Sequence, residues 1–161
     1  MRLLISIIAF ISVSVAAHSA ELIGRVVGVS DGDTITVLDS SKTQHKVRLA
    51  GIDAPESKQA FGQASKKHLS DLVYDRDVTL TCGKTDKYNR EVCVVMVDGH
   101  DANLAQVAAG MAWWYRKYQK EQSAQQRTDY EAAETVARGG GIGLWLDADP
   151  EPPWEWRSRP R

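Results

Sequence analysis

One short stretch of the chain, Arg48–Glu56, brings an arginine close to two carboxylates, Asp53 and Glu56. An acidic group, Asp31–Thr34, precedes it, and a polar turn that ends in Arg90 follows it. Carboxylates bind hard cations, and arginine holds a phosphate group through paired hydrogen bonds. These residue types, in this order, predict a metal-dependent phosphodiesterase.

The parity of the flanking residues predicts where the two aspartates point. Asp33 alternates in step with Ile35, and Asp53 alternates in step with Leu49, so both acids are expected on the core side of their strands. A buried, unpaired carboxylate is costly. A cation between the two acids would remove that cost, and oxygen ligands with positions open to water favour Ca²⁺ or Mg²⁺.

Each residue also has a simpler interpretation. Asp33 could belong to a hairpin turn, Asp53 could cap a turn, and Glu56 could be a solvated acid in a first helical turn. Arg48 has the opposite parity to Leu49 and must reach over the barrel rim to join the acids, which a bulge near Gly51 would allow. Otherwise it is a surface arginine paired to an acid, and Arg90 is a solvated turn residue.

Hydrophobic periodicity predicts the elements that position these residues. Five strands are expected: two within Leu22–Leu38 joined at Ser30–Gly32, then Thr43–Gly51, Asp77–Cys82 and Glu91–Val97. Three helices are expected at Ser57–Tyr74, at Asp101–Ala112 with Asp101 as N-cap, and at Ser123–Arg138. The pattern indicates an α+β fold with a small closed or nearly closed barrel.

The first 20 residues have the layout of a signal peptide. Basic Met1–Arg2 precedes the apolar run Leu3–Ala17, and cleavage after Ala17, Ser19 or Ala20 fits the small residues there. The run has about 15 residues, short of the roughly 20 that span a membrane, although an uncleaved anchor is the alternative. The chain is therefore expected to be exported, to a periplasm or outside the cell, and free of the membrane after cleavage.

The exported part is expected to form one domain, residues 21–148, followed by a Pro/Trp-rich tail, residues 149–161. The tail's prolines argue against a regular helix or a central strand, and its tryptophans indicate that it packs on the domain. The chain carries a net charge of −1, which becomes −2 when Arg2 is removed with residues 1–20. This balance excludes nucleic-acid binding by bulk positive charge, so a polyanion requires a local basic groove and a bound cation.

The chain has two cysteines, Cys82 and Cys93, in strand segments on either side of the Asp86–Arg90 turn. Export permits a disulfide across this hairpin, and two buried thiols are the alternative. No C-x-x-C pair and no cysteine–histidine spacing typical of zinc ligands is present, so a structural zinc site is not expected. His68 is expected at the edge of the core, and His45 and His100 at the surface.

Four motifs in order, Asp31–Thr34, Val47–Leu49, Asp53–Glu56 and Asp86–Arg90, closely resemble those of the staphylococcal nuclease (thermonuclease) family. The resemblance extends from about Leu22 to Trp145. It implies a five-stranded OB-fold barrel with three helices, in agreement with the periodicity. The protein is expected to be a monomer.

The resemblance also implies residue roles. One Ca²⁺ would be held by Asp33, Asp53 and the backbone carbonyl of Ala54. Arg48 and Arg90 would bind the scissile phosphate, and Glu56 would orient or deprotonate the attacking water. The implied reaction is endonucleolytic cleavage of DNA and RNA that leaves 3′-phosphate ends.

Further contacts to the substrate are expected from Lys87, Tyr88, Tyr115 and Tyr118, since aromatic and cationic side chains suit single strands. Their alternative role is packing. Asn89 stands where the family prototype has glycine, and asparagine tolerates the left-handed backbone of such a turn.

Two other classes of protein fit parts of the pattern. A non-catalytic OB-fold module that binds nucleic acid or protein would lack the full charged set, whereas this chain has it. A Ca²⁺-binding structural protein of the cell envelope would need the acids but would have no use for both arginines.

Overall fold

The computed structural model describes residues 21–160, so the predicted signal peptide lies outside the described residues. The strands are β1 (Glu21–Val29), β2 (Thr34–Asp39), β3 (Gln44–Leu49), β4 (Ile52–Asp53), β5 (Asp77–Thr85), β6 (Glu91–Val97), β7 (His100–Asp101) and β8 (Trp113–Trp114). The helices are α1 (Gly62–Val73), α2 (Ala102–Ala108), α3 (Ala124–Gly139) and α4 (Pro153–Trp156), with 3₁₀ turns at Arg116–Glu121 and Gly143–Leu146.

Five of the strands form a closed barrel. They are hydrogen-bonded in the order β3-β2-β1-β5-β6, and a parallel pairing of β3 with β6 closes the sheet. The predicted five-stranded OB-fold barrel is therefore confirmed. The two-residue strands β4 and β8 pair with each other outside this sheet, and β7 extends it beyond β6.

The barrel core follows the predicted alternation. Fully buried apolar side chains occupy every second position of the strands, as Val47 and Leu49 do in β3. The buried amide of Asn103, at the start of α2, donates to the carbonyls of Ala50 and Cys93 and accepts from Val95 N–H. This amide fixes α2 on the barrel and anchors the turn that follows β3.

The helices differ from prediction mainly at their ends. Asp101 caps α2 by accepting from Leu104 N–H, as expected. However, α1 begins at Gly62 because residues 57–61 form turns that end with Phe61 in the left-handed region, at φ 63°. Within residues 21–160, no helix combines the length and apolarity needed to span a bilayer.

The C-terminal segment, residues 149–160, packs on the domain. The expectation that it contains no helix is wrong, because Pro153–Trp156 forms one turn, α4. Proline is compatible with the first turn of a helix, where its missing N–H has no intrahelical partner. The Trp154 ring stacks on the Tyr115 ring at 5.3 Å and meets the Trp113 ring edge-on at 6.3 Å.

The two cysteines are joined in a disulfide between β5 and β6. Cys82 and Cys93 are register partners, and the irregular stretch of β5 lies directly after Cys82. The bond therefore crosses the hairpin below the turn that carries Arg90.

Candidate active site

The two aspartates lie side by side at one mouth of the barrel. Asp33 immediately precedes β2 and Asp53 ends β4, and they are only 6% and 1% exposed. The chain turns sharply after Leu49 because Gly51 has φ 74°, a conformation that favours glycine. This turn brings Asp53 back beside Asp33, so the predicted core-side position of both acids is correct.

Arg48 joins the two aspartates. Its Nη1 lies 2.8 Å from Asp33 Oδ2 and its Nη2 lies 2.9 Å from Asp53 Oδ1. The bulge expected near Gly51 is wrong: β3 simply ends at Leu49, and the register shifts lie in β1 and β5 instead. The break in the strand allows Asp53 to approach the face on which Arg48 lies.

Burial controls the protonation of Asp33. It raises the pKa of Asp33 to about 7, although the positive charge of Arg48 opposes it, and the neighbouring acids Asp31 and Asp53 raise it further. Asp33 Oδ2 also accepts a hydrogen bond from Ala54 N–H at 2.7 Å. Arg48 and the Ala54 N–H both lower the pKa of Asp33 but do not offset its burial, so a further positive charge at this carboxyl would favour its ionised form.

Arg90 reaches the same mouth from the β5–β6 hairpin. Its Nη1 donates to Thr34 Oγ1 at 3.3 Å, and that hydroxyl donates to Asp33 Oδ1 at 3.1 Å. Asn89 has φ 59°, so asparagine does adopt the left-handed turn expected here. Thr34 thus links the second arginine to the first acid, a role that the sequence reasoning missed.

Asp86 holds the Arg90 turn in shape. Its side chain accepts from Arg90 Nε at 2.8 Å and from the backbone N–H groups of Tyr88 and Arg90. Burial raises the pKa of Asp86, but these hydrogen bonds outweigh it and keep that pKa below its usual value. Asp86 therefore stays charged and orients the Arg90 guanidinium.

Glu56 lies just beyond Asp53, and a third arginine joins them. Arg157, from the C-terminal segment, donates to both oxygens of Asp53, at 3.2 and 2.7 Å, and to Glu56 Oε1 at 2.8 Å. Burial lowers the pKa of Arg157, but the hydrogen bonds to the two acids outweigh it and raise that pKa. Its guanidinium stays charged within the site.

The donor set fits a hard cation. Asp33 and Asp53 supply buried carboxylate oxygens, and they already enclose a positive group, the guanidinium of Arg48. In the described part of the chain, one group of three His, Cys, Asp or Glu ligands converges, Cys82, Glu91 and Cys93. Its two sulfurs are bonded to each other, so it offers no thiolates.

A sequence model described as staphylococcal nuclease homologue matches residues 46–147, a range that contains Arg48, Asp53, Glu56 and Arg90. The chain belongs to the staphylococcal nuclease family. The family and its named members support a hydrolase of the nuclease class.

Several relatives in the staphylococcal nuclease family match over most of this chain. A Haemophilus influenzae protein described as an uncharacterized endonuclease is 43% identical over 98% of this chain and 85% of its own length. A Shigella flexneri protein described as micrococcal nuclease is 42% identical over 86% of this chain and 82% of its own. An Arabidopsis thaliana staphylococcal-like nuclease, CAN1, is 33% identical over 72% of this chain and 34% of its own.

The predicted substrate-binding residues of this nuclease form two groups with different surroundings. Tyr88 is 66% exposed, with Lys87 Nζ 4.9 Å from the ring centre and Arg90 on the same ring. Tyr115, however, has one face covered by Trp154, and Tyr118 meets it edge-on. Tyr88 is therefore available for stacking, whereas Tyr115 also packs the C-terminal segment.

The sequence reasoning missed Arg157 because no motif marks it. Its only signal is the run Trp154-Glu155-Trp156-Arg157, which predicts that the segment packs on the domain without indicating where. Gln59 adds a second connection here, because its side chain accepts from Glu56 N–H and donates to the Glu151 carbonyl. That bridge ties the loop of Glu56 to the segment that carries Arg157.

Proposed function

We propose that this protein is an exported, Ca²⁺-dependent endonuclease that hydrolyses DNA and RNA and leaves 3′-phosphate ends. The observation that carries the proposal is the convergence of Asp33, Asp53 and Glu56 with Arg48 and Arg90 at one barrel mouth. Two of the acids are buried, and a phosphodiesterase is the class of enzyme that uses hard-cation ligands beside arginines.

The cation of this proposal is a single Ca²⁺, bound by Asp33, Asp53 and the backbone carbonyl of Ala54. When bound, it would offset the negative charge that shields a phosphodiester from attack. Arg48 and Arg157 already bring positive charge to these acids.

The chain's own residues would then bind the phosphate and the water. Arg48 and Arg90 donate to the phosphoryl oxygens and stabilise the charge that builds up during attack. Glu56 is 41% exposed in its side chain, and Oε1 accepts from Arg157, so Oε2 can accept a hydrogen bond from the attacking water. Asp86 and Thr34 hold Arg90 in place from two sides.

The alternative is an OB-fold module that binds nucleic acid without cleaving it. Such a module has no requirement for Glu56 beside buried acids, and it would bind equally well with Glu56 replaced. The complete charged set therefore favours the enzyme.

The decisive experiment is digestion of single-stranded DNA and of RNA by the purified protein, with Ca²⁺ and with a Ca²⁺ chelator. We expect cleavage that requires Ca²⁺ and falls by at least about a hundredfold in Glu56→Gln and Arg90→Ala, the usual scale for loss of one such group. The DNA products should resist polymerase extension until a phosphatase removes their 3′-phosphates.

Arg76→Ala is the matched control for Arg90→Ala. Arg76 pairs with Asp98 at the opposite end of the β5–β6 hairpin. The Arg76→Ala variant should therefore cleave DNA and RNA as fast as the wild type. A folded wild type that binds DNA but never cleaves it would refute the enzyme and support the binding module.

Export is a separate part of the proposal and has its own test. Protein recovered after expression of the full chain in a bacterium should begin after Ala17, Ser19 or Ala20 by N-terminal sequencing. An intact N-terminus in membrane fractions would support an anchor instead.

A further inference from the structure

A cleft opens between the C-terminal segment and the loop of Glu56. It has a volume of about 370 Å³, within the range of ligand-binding clefts. Lys58 lies on the loop side, and Trp156, Arg157 and Arg159 lie on the segment side. Glu56 lines it too, so the cleft is continuous with the candidate active site.

Side-chain contacts between the C-terminal segment and the domain, and within the segment, hold the walls of this cleft in position. Trp154 is fixed against Tyr115, and Gln59 bonds the segment to the loop. Arg159 pairs with Glu151 at 2.7 Å and its guanidinium lies 4.8 Å from the Trp156 ring centre. The cleft is therefore part of the folded domain.

Its charge is unusual for this chain. Three cations face one carboxylate, Glu56, in a protein whose net charge is −1. A second cleft of about 400 Å³ shares Trp156 and Arg159 with the first but has the reverse character, because four carboxylates line it: Asp147, Asp149, Glu151 and Glu155. Of the two clefts, the first is therefore the one whose charge attracts a polyanion.

Two of the three cations are available to a ligand. Arg157 is engaged by Asp53 and Glu56, whereas Lys58 is exposed and has no ion-pair partner within residues 21–160. The side chain of Arg159 is 60% exposed, and exchanging such a surface pair for another anion costs little. Trp156 adds an aromatic face of the kind that stacks on bases.

We propose that this cleft is a second phosphate-binding site of the nuclease, which holds the phosphate of a nucleotide flanking the bond that is cleaved. The inference rests on the proposed function, because the cleft adjoins Glu56 and would lie on the path of the same strand. Lys58 and Arg159 bind the flanking phosphate, and Trp156 lies beside its nucleoside. Substrates with flanking nucleotides should therefore bind better than a dinucleoside monophosphate.

The test measures binding apart from cleavage. Fluorescence anisotropy of a labelled octathymidylate, with a Ca²⁺ chelator present, gives the affinity of the full chain and of Lys58→Gln/Arg159→Gln. We expect the double variant to bind the octamer roughly five- to tenfold more weakly. The slope of log affinity against log salt concentration should fall by the equivalent of about one phosphate contact. With Ca²⁺, its KM for the octamer should rise by a similar factor relative to its KM for the dinucleoside monophosphate.

Arg25→Gln/Arg76→Gln is the control of equal charge. Both arginines form exposed ion pairs at the far end of the barrel and should leave the affinity unchanged. A second check uses a set of octamers in which a single neutral methylphosphonate linkage replaces one phosphate at each position in turn. The wild type should bind more weakly when the linkage is at one flanking position, and the cleft variant should show no such drop in affinity.

The outcomes separate this inference from the proposed function. Unchanged octamer binding by the cleft variant, or an equal loss in the control, would overturn the second phosphate site even if the protein cleaves DNA. In the converse outcome, the wild type binds the octamer without ever cleaving it, while the cleft variant binds more weakly and the control does not. That outcome would support the second phosphate site and refute the proposed enzyme activity.

Discussion

The barrel mouth and the C-terminal segment each bring an arginine to the same aspartate, but by different means. Arg48 is on a barrel strand, its side chain is 13% exposed, and it contacts both Asp33 and Asp53. Arg157 arrives on a segment held by aromatic packing, and its side chain is 43% exposed. The barrel thus provides charge that is fixed by burial, whereas the segment provides charge that is more exposed to solvent and therefore easier to displace.

The largest effect should come from removing the fixed charge. Arg48→Ala leaves two buried carboxylates facing each other, so we expect at least about a hundredfold loss of cleavage and roughly 3 kcal/mol less stability without metal. Nuclease assays and urea denaturation measure both. Ca²⁺ should restore much of the stability and none of the activity.

Arg25→Ala is the control for that loss, since its ion pairs with Asp75 and Asp77 are exposed. A full rescue of cleavage by Ca²⁺ in Arg48→Ala would contradict a role for Arg48 in binding phosphate.

The next largest effect concerns the hairpin that presents Arg90. The disulfide joins residues 11 apart in sequence, and closing a loop of that size stabilises a domain by about 2.5–3 kcal/mol in the chain-entropy account. Cys82→Ser/Cys93→Ser should unfold at correspondingly lower urea concentration. Cleavage at low temperature should fall less than in Arg90→Ala, because Asp86 still holds the turn. If the cysteine double variant lost as much cleavage as Arg90→Ala, the disulfide, and not Asp86, would be what positions Arg90.

A smaller effect should come from removing the displaceable charge. Arg157 occupies both oxygens of Asp53, so it competes with a cation for that carboxylate. We expect Arg157→Gln to bind Ca²⁺ roughly three- to tenfold more tightly by calorimetry, the modest change typical of a partly exposed pair. Arg138→Gln, which removes an arginine that packs on Trp145, serves as the control. Weaker Ca²⁺ binding by Arg157→Gln would contradict the competition.

The smallest effect lies on the barrel wall, away from both arginines. His45, predicted at the surface, is instead mostly buried, with only 15% of its side chain exposed, and it contacts Glu91 at 2.9 Å and Asp39 at 3.1 Å. The hydrogen bonds that Glu91 and Asp39 accept from the ring raise the pKa of His45, because only the protonated ring can donate to both acids. Hydrogen bonds from Ser41 and His45 lower the pKa of Asp39 to about 2.

These shifts fix the sign of the pH dependence. Because the pKa of His45 is raised on folding, its contribution to the free energy of unfolding is complete below its unfolded pKa of about 6.5. This contribution is lost as the pH rises through the pKa of the folded state. The contribution of Asp39 is present above its unfolded pKa of about 3.9 and is lost as the pH falls towards 2. His45→Gln should therefore lower the melting temperature more near pH 5.5 than near pH 8.5, and a loss equal at both would contradict the pairing. His100→Gln is the control, because that ring is exposed.

The sequence by itself determined the barrel and most of the acidic site. Alternation placed Asp33 and Asp53 on the core side, and the capping residue Asp101 located the start of α2, because these signals depend only on near neighbours. The family motifs then named Arg48, Glu56 and Arg90. All of these residues lie at the end of a regular element or in a tight turn, where local geometry limits the options.

Only the tertiary structure decided how the arginines are shared. Arg48 reaches the acids because β3 stops at Leu49, and Arg157 reaches them because Trp154 stacks on Tyr115. Both contacts join residues whose relative positions depend on packing across the molecule, and Arg157 lies 104 residues from Asp53 in sequence. Side-chain packing between distant segments leaves no periodic trace in the sequence, so the third arginine of the site became visible only in the folded chain.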